Sequence, residues 1–426
     1  MNTFLDFISF RDPNVIYVVL GMLFVNTSSA LIGTFAFLRK RALIGDAIAH
    51  SLLPGLCLGF LVAGEKNLIF LLIGAFVTGW LSTFAVDIIV NRTKVKQDAA
   101  IGIVLSTFFA LGIVLLTYIQ QNAGGEQAGL DHFLFGQAAA INRSDVWVFG
   151  VIVVLIIAVV GIFYRSFVVV CFNPDFARSV GLPVRTIEFL ITSMTVLAIA
   201  SGIQALGVIL MSALIITPGA AARLWSHRLP RILLLAVIFS VVSGIGGAYV
   251  SYAKAGMPTG PWVVMFLSII VFLSIMLAPN RGIVSRISRA RRNERKILQE
   301  NILKAYYQYH EKKQTKKLDQ LLTIDQILSI RNFDTSDLMK GIKKLKREGF
   351  MLQEGTTYAL TTPGQKESKR VARLHRLWEQ YLLKRTQIDT DHVHSGAEAI
   401  EHIITPELEK ELEKELGIEG IPDEDY

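Results

Sequence analysis

The first 280 positions carry apolar residues in long blocks separated by short polar breaks, and the blocks have the length of membrane spans. A helix rising about 1.5 Å per residue needs roughly 20 mostly apolar residues to cross a hydrocarbon core ~30 Å thick. Nine stretches come near that length, at about 15–38, 43–63, 67–90, 99–119, 146–164, 186–201, 205–222, 232–252 and 262–278. The sixth and seventh are short and read as broken or re-entrant, so eight or nine spans are predicted. Past position 280 the blocks give way to shorter, amphipathic patterns. Leu321–Ser329 reads as a short helix, Asn332–Asp334 as a turn, and Thr335–Gly349 as a capped helix ending at glycine. Phe350–Leu352, a turn at Glu354–Thr356 and Tyr358–Thr361 read as a hairpin, and Pro363-Gly364 opens a long helix. Two helices followed by a hairpin form the punctuation of a winged helix-turn-helix.

Charge divides the chain at the same place. Of 426 residues 52% are hydrophobic and only 18% charged, with a mean hydropathy of +0.46, against about 25% charged in a soluble domain. Residues 1–280 carry 16 Lys+Arg and 11 Asp+Glu, which leaves 27 and 24 of the totals of 43 and 35 for the last 146 residues. The tail is therefore expected to be a separate, soluble domain. Lys and Arg stay on the cytoplasmic side when helices insert, and the loops alternate. One set holds Arg39, Lys40, Arg41, Arg92, Lys94, Lys96, Arg165, Arg178, Arg185, Arg223, Arg228 and Arg231, whereas the other holds Arg11, Lys66, Arg143 and Lys254. The reading is a multi-pass protein of the cytoplasmic (inner) cell membrane, N-terminus outside and tail in the cytosol. Met1–Pro13 lacks a basic n-region, so the first apolar stretch is expected to be a retained span. Cys57 and Cys171 sit in different apolar segments, with no CxxC or Cys/His spacing to make a disulfide framework or a zinc knuckle. No phosphate loop of the GxxxxGK[ST] type occurs, so ATP hydrolysis would fall to another polypeptide. No nucleophile with a base appears either, and an enzyme is not expected.

Ionisable residues inside a span cost about 2.5–3.5 kcal/mol each at its centre. The second span carries Asp46 and His50, whose i,i+4 spacing puts carboxylate and imidazole on one helical face. That pair can hold a divalent cation, or it can form a hydrogen bond that locks two helices. Pro54 removes a backbone hydrogen bond, and Gly45 and Gly55 allow close approach. The stretch ALIGDAIAHSLLPGLCLGF resembles the second-span motif of the zinc/manganese/iron permease family of ABC importers. The resemblance continues through DAAIGIVLSTFFALGI (98–113), DHFLFG (131–136), FNPDFARSVGLPV (172–184) and ALGVILMSALIITPGAAARLW (205–225), in order, over about residues 15–280. It implies that Asp46 and His50 are metal ligands of the translocation path. It also implies that the cytoplasmic loop with Asp175, Arg178, Gly181 and Pro183 docks into an ABC ATPase subunit, with an extracytoplasmic metal-binding protein delivering substrate. The permease would act as a homodimer or beside a related permease. Asn173-Pro174-Asp175, followed by Gly181-Leu182-Pro183, reads as a capped short helix closed by a turn, and Thr217-Pro218-Gly219 as a kinked or hinged stretch near the cytoplasmic face.

The tail is polarised: residues 281–347 hold 18 Lys+Arg against 7 Asp+Glu, and 348–426 hold 9 against 17. Arginines in 281–296 suit anionic lipid at about 1 kcal/mol each. Ser336, Lys340, Lys343, Lys344 and Arg347 are candidate DNA contacts on the second helix, or a solvated basic face. His375 and Glu379 stand at i,i+4, and His394, Glu398, Glu401 and His402 follow within 28 residues, a nitrogen and oxygen donor set fit for a divalent metal. Residues 297–417 resemble the diphtheria-toxin-repressor family of metal-dependent regulators, through RLHRLWEQYLL and VHSGAEAIEHII. This implies that the six residues are ligands, with Glu300 as a further one. Leu303 falls where the manganese-responsive branch would have a second acid. Glu398 falls where iron-responsive members carry cysteine, and a hard oxygen in place of sulfur favours manganese, then iron(II), then zinc. The expected organisation is an all-α polytopic permease domain at 1–280 and a basic juxtamembrane linker at 281–296. A winged helix at 297–365 and a helical metal-binding and dimerisation region at 366–426 follow. The leading function is the permease of a divalent-metal ABC importer with a cytosolic metal-sensing domain. The alternatives are a membrane-tethered metal-dependent transcriptional regulator, or a permease whose tail acts as a DNA-binding repressor, either in place or after release near 281–296.

Overall fold

The structure, a computed structural model, describes residues 6–7, 9, 13–39, 42–64, 67–122, 136, 138–254, 257–279, 281–313, 320–385 and 406–416. The chain forms two compact units, Met1–Ser285 and Arg286–Tyr426.

In lipid every backbone N–H and C=O must be satisfied within its own segment, which is why apolar stretches become helices. The first unit holds α1 (Pro13–Leu38), α2 (Ala42–Ser51), α3 (Leu53–Ala63), α4 (Leu68–Arg92), α5 (Gln97–Asn122), α6 (Arg143–Ile162), α7 (Tyr164–Phe172), α8 (Pro174–Ser179), α9 (Val184–Leu206), α10 (Val208–Trp225), α11 (Leu229–Ala253) and α12 (Thr259–Leu277). Among the described residues eight helical stretches are long and apolar enough to cross a membrane, α2 and α3 counting together as one, and α10 supplies a shorter apolar helix. The α1 helix is central, packing against α6, α9, α10 and α11. Its buried Asn26 donates to the Met22 carbonyl at 2.7 Å and accepts from the Ser240 hydroxyl at 3.0 Å, a polar clasp between α1 and α11.

The sixth span is longer than its hydropathy suggested. Buried Thr195 and Ser201 of α9 return their hydroxyls to the carbonyls of Ile191 and Ala198, so their polarity is met within the helix. The second span loses a rung of its hydrogen-bond ladder around Leu52, between α2 and α3, while Leu52 keeps helical angles of φ −74° and ψ −23°. The cause is Pro54, which has no N–H to give to the His50 carbonyl four residues back. Helix α7, between the fifth span and the loop over 173–183, was not predicted; it buries Phe167, Val170 and Cys171.

Gly55 packs against α4 so closely that a Cβ there would lie 2.1 Å from the Gly74 carbonyl oxygen and 2.2 Å from the Thr78 hydroxyl. The backbone of α4 cannot yield cheaply. Gly55→Ala is expected to destabilise the membrane unit by about 1–3 kcal/mol, the cost of overpacking a close-packed interface. Thermal unfolding in detergent checks this, with Gly161→Ala as control, since a Cβ at Gly161 meets nothing within 4 Å. Equal melting temperatures for the two variants would refute the packing argument.

In the second unit, α13 (Ile283–Lys312) is one helix, and the segment read as a linker is helical from Ile283 onward. Residues 286–296 are exposed, and the core begins at Gln299. The stretch read as one helix over 321–329 splits into β1 (Leu322–Thr323) and α14 (Ile324–Leu328), because Leu322 pairs with Tyr358. Thr323 and Gln326 form a reciprocal cap on α14. Helix α15 (Thr335–Arg347) starts at an Asp334 side chain that accepts from the amides of Ser336 and Asp337. The hairpin is β2 (Met351–Glu354) and β3 (Thr357–Leu360), in sheet order β1-β3-β2. Ile302, Leu303, Tyr306, Leu338, Ile342 and Leu345 close the core beneath it. Helix α16 (Thr362–Arg385) docks on α13 through a Ser368 hydroxyl donating to the Leu303 carbonyl at 2.7 Å. Helix α17 (Pro406–Leu416) packs on α16 through Leu412 and Leu374. This is a winged helix followed by a helical region.

Candidate functional site

Asp46 and His50 both project from α2, with the His50 Nε2 3.6 Å from an Asp46 carboxylate oxygen. That separation is beyond a normal hydrogen bond. It is close to the edge between two ligands that each sit about 2.0–2.2 Å from a metal, which runs to roughly 3.0–3.5 Å. The Asp46 side chain is 40% exposed and that of His50 19% exposed, so the pair is open on one side. The His50 ring is held edge-on against Phe109 of α5, centroids 5.1 Å apart. Its Nδ1 is buried and has no hydrogen-bond partner. Pro54 in addition withholds the usual helical donor from the His50 carbonyl. Gly45, on the same helix, is buried against Ile215 of α10, where a Cβ would lie 3.3 Å from the Ile215 side chain. Among the described residues no group of three or more His, Cys, Asp or Glu forms a metal site. Among the described residues the site thus holds two side-chain donors, Asp46 and His50.

The loop over 173–183 folds as the sequence punctuation implies. The Asn173 side chain caps α8 by accepting from the Phe176 amide at 3.0 Å, and Pro174 fills the first turn. Asp175 and Arg178 pair at 2.8 Å on the exposed side, both widely exposed. Gly181 closes the turn at φ +84°, where a side chain would be strained. Two features were missed by motif reading. Phe176 is 56% and Val180 60% exposed, an apolar knob on a loop otherwise read through its polar residues, while Ala177 beneath is fully buried. An exposed phenylalanine on a short helix anchored underneath is an apolar patch of the kind that marks interaction sites.

In the second unit, Glu300 and His375 are both buried. Glu300 lies 3.5 Å from the Lys296 ammonium, so it is already offset by a cation. Leu303, at the position where a second acid would fall, is 2% exposed in the winged-helix core, which explains an apolar residue there. His394, Glu398, Glu401 and His402 lie outside the described residues, as does the Glu379 side chain. Buried Lys304 and His310 on α13 are polar residues that the sequence reading passed over. On α15, Ser336, Lys340, Lys343 and Arg347 are exposed and Lys344 is half-buried. A hydrogen bond to Asp337 raises the Lys340 pKa, holding its charge. Lys340, Lys343, Lys344 and Arg347, with Arg291, Arg295 and Arg331, line one open trough of about 990 Å³.

Residues 11–278 match the ABC 3 transport family. The chain belongs to that family. It is a family of transport proteins and not of enzymes, and the permease resemblance is thereby confirmed. Residues 361–418 match the iron dependent repressor metal binding and dimerisation domain. The manganese transport system membrane protein MntC of Bacillus subtilis is 38% identical over 379 residues, which is 89% of this chain and 86% of that one. The similarity thus runs on into the tail. The zinc transport system membrane protein TroC of Treponema pallidum is 40% identical over 66% of this chain and 95% of its own. Among solved structures, PsaBC from Streptococcus pneumoniae in complex with Fab is similar at a TM-score of 0.59 and 27% identity, covering 65% of this chain and 97% of that one. The protein is a multi-pass membrane permease with a repressor-like C-terminal domain.

Proposed function

We propose that the chain is the permease subunit of an ABC importer that carries a divalent transition metal into the cytoplasm, manganese first, then iron(II) or zinc. The observation that carries this reading is the Asp46–His50 pair at ligand spacing within a membrane-spanning helix. An oxygen–nitrogen pair without sulfur suits manganese and iron(II) more than softer ions. The MntC relative supports manganese and the TroC relative zinc. Two donors per chain favour a second permease, either another copy or a related chain, whose own pair would complete the shell. A separate ATPase and an extracytoplasmic metal-binding protein complete the assembly. The test is ATP-dependent uptake of labelled manganese, iron(II) and zinc by proteoliposomes holding the full complex; uptake of none of them would overturn the assignment.

Helix α8 is the docking element for the ATPase in this reading, with Phe176 and Val180 as its apolar contacts and Asp175 and Arg178 at the rim. Phe176→Ala is expected to weaken association with the ATPase subunit about tenfold or more, as loss of a buried aromatic anchor does. Titrated co-purification measures it. Cysteines placed along 175–182 should crosslink to the ATPase; if only cysteines at 223–231 do so, another loop docks.

The tail is read as a metal-responsive regulator of transport, holding manganese or iron(II) through His375, Glu379, His394, Glu398, Glu401 and His402, with Glu300 as a further candidate ligand. Bound metal would supply a cross-link between α16 and the segment at 394–402. The second reading, DNA binding by α15, is favoured by the exposed basic face and the repressor-domain match.

A further inference from the structure

Arg39 follows the last residue of α1, its amide donating to the Phe35 carbonyl at 3.1 Å, and stands three residues before the start of α2. Its guanidinium is 7% exposed and is paired with the carboxylate of Glu188, 149 positions further along, in the second turn of α9. A charge taken as far out of water as that of Arg39 is kept only with a partner, and Glu188, its side chain 33% exposed, supplies one.

Both ends of the pair are tied to elements with assigned roles. On one side, α8 and the first turn of α9 form one hydrogen-bonded piece. The Leu182 amide donates to the Ala177 carbonyl at 3.0 Å, the Val184 amide to Leu182 at 2.8 Å, and the Ile187 amide to Pro183 at 3.1 Å. A displacement of α8 must therefore move Glu188. On the other side, Arg39 lines a cavity of about 30 Å³ together with Ile44 and Ile48 of α2, Thr83 and Asp87 of α4, and Thr195 of α9. Ile44 and Ile48 stand two positions from Asp46 and His50, which places them on the opposite face of α2 at 100° per residue. Thr83, Asp87 and Thr195 bring polar groups into an otherwise largely apolar lining, and the space is large enough for about one water molecule.

We propose that the Arg39–Glu188 ion pair is the mechanical link that carries ATPase-driven movement of α8 to the metal-ligand helix α2. The pair positions the ligands and does not touch the metal. This rests on the reading of α8 as the docking element and of Asp46 and His50 as ligands, and adds the element that joins them. A push on α8 reaches Glu188 through α9, then Arg39, and then the back of α2, which shifts the face bearing Asp46 and His50.

The test uses the full complex in proteoliposomes and reads metal transported per ATP hydrolysed. Glu188→Gln keeps the side-chain shape and removes the charge. It is expected to leave ATP hydrolysis within about twofold and metal binding to the detergent-solubilised complex unchanged, while uptake per ATP falls about tenfold, within the range of coupling energies between sites. Charge exchange, Arg39→Glu with Glu188→Arg, is expected to recover most of that loss, whereas Glu188→Arg alone does not. Where Glu188→Gln fails to accumulate, Glu188→Asp keeps the charge and shortens the reach, and is expected to lower the ratio about threefold. An unchanged ratio in the folded Gln or Asp variant overturns the proposal. So does an exchanged pair no better than the single reversals. Crosslinking of a Ser179→Cys variant, at an exposed position of α8 that leaves Phe176 and Val180 in place, to the ATPase separates the two readings: without the crosslink the docking reading falls, and with the crosslink but unchanged coupling only the link falls.

Discussion

Asp46→Ala and His50→Ala are each expected to abolish manganese uptake, by at least about 100-fold, since changes merely in the outer shell of a metal already cost about 10–100-fold in affinity. The chemistry is local. Removal of either side chain leaves a single donor on α2 per chain, and one donor cannot compete with six waters for a hard divalent ion. The fold is not at stake to the same degree. Asp46 is 40% exposed, and His50 contributes an edge contact to Phe109 and no hydrogen bond through its buried Nδ1. The neighbours that hold α2 in place, Ala47, Ile48 and Ala49, are untouched and buried. Both variants should therefore reach the membrane and bind the ATPase in wild-type amounts while uptake stops. Asp46→Asn and His50→Gln refine the result: each keeps the shape and loses the anionic oxygen or the imidazole nitrogen. Uptake within about twofold of wild type by either alanine variant at equal protein level, against the ~100-fold loss expected, would show that the pair is a helix clasp and not part of the path.

What sequence makes legible here depends on whether the cause of a structure is local. Spans are read from composition because the hydrocarbon leaves the backbone no other solution, and the lost rung in the second span is announced by Pro54. The boundaries of α9 are not, since Ser193, Thr195 and Ser201 lower its hydropathy although neighbouring helices bury all three. Strand β1 exists only through Tyr358 and Thr357 on β3, more than thirty residues on, and two residues that pair so far away look like the start of a helix. The Asp46–His50 pair is visible because both partners lie on one helix. Arg39 is visible only as one of twelve inward-retained charges; its pairing with Glu188 is a property of α1 packing against α9. Likewise the knob of Phe176 and Val180 reads as ordinary amphipathic sequence until Ala177 is seen to be the residue turned inward.

Removal of the tail is expected to release transport from inhibition by cytosolic metal. The core of the second unit begins at Gln299 and includes Ile302, Leu303 and Tyr306, whereas residues 286–296 are exposed throughout. A chain stopped after Arg295 therefore loses the winged helix and the candidate regulatory ligands entirely, and keeps only an exposed stub that leaves no core residue stranded. The membrane unit has its own core, from Met22 and Ile48 to Ile215 and Leu267, so the shortened permease should assemble and transport. In full-length protein, loading the vesicle interior or cytosol with manganese is expected to lower the initial uptake rate about tenfold, the range of coupling between two sites of one protein. In the shortened chain the rate should not respond. Replacing the proposed ligand His375 alone, as His375→Ala, should abolish the response while basal uptake persists, because that histidine lies on α16 and outside the permease domain. DNA gives the opposite pattern. If the metal response survives truncation, and full-length protein in detergent retains duplex DNA only with manganese present, the valve is refuted and α15, with Lys340, Lys343 and Arg347 on its exposed face, does what its charge equips it to do.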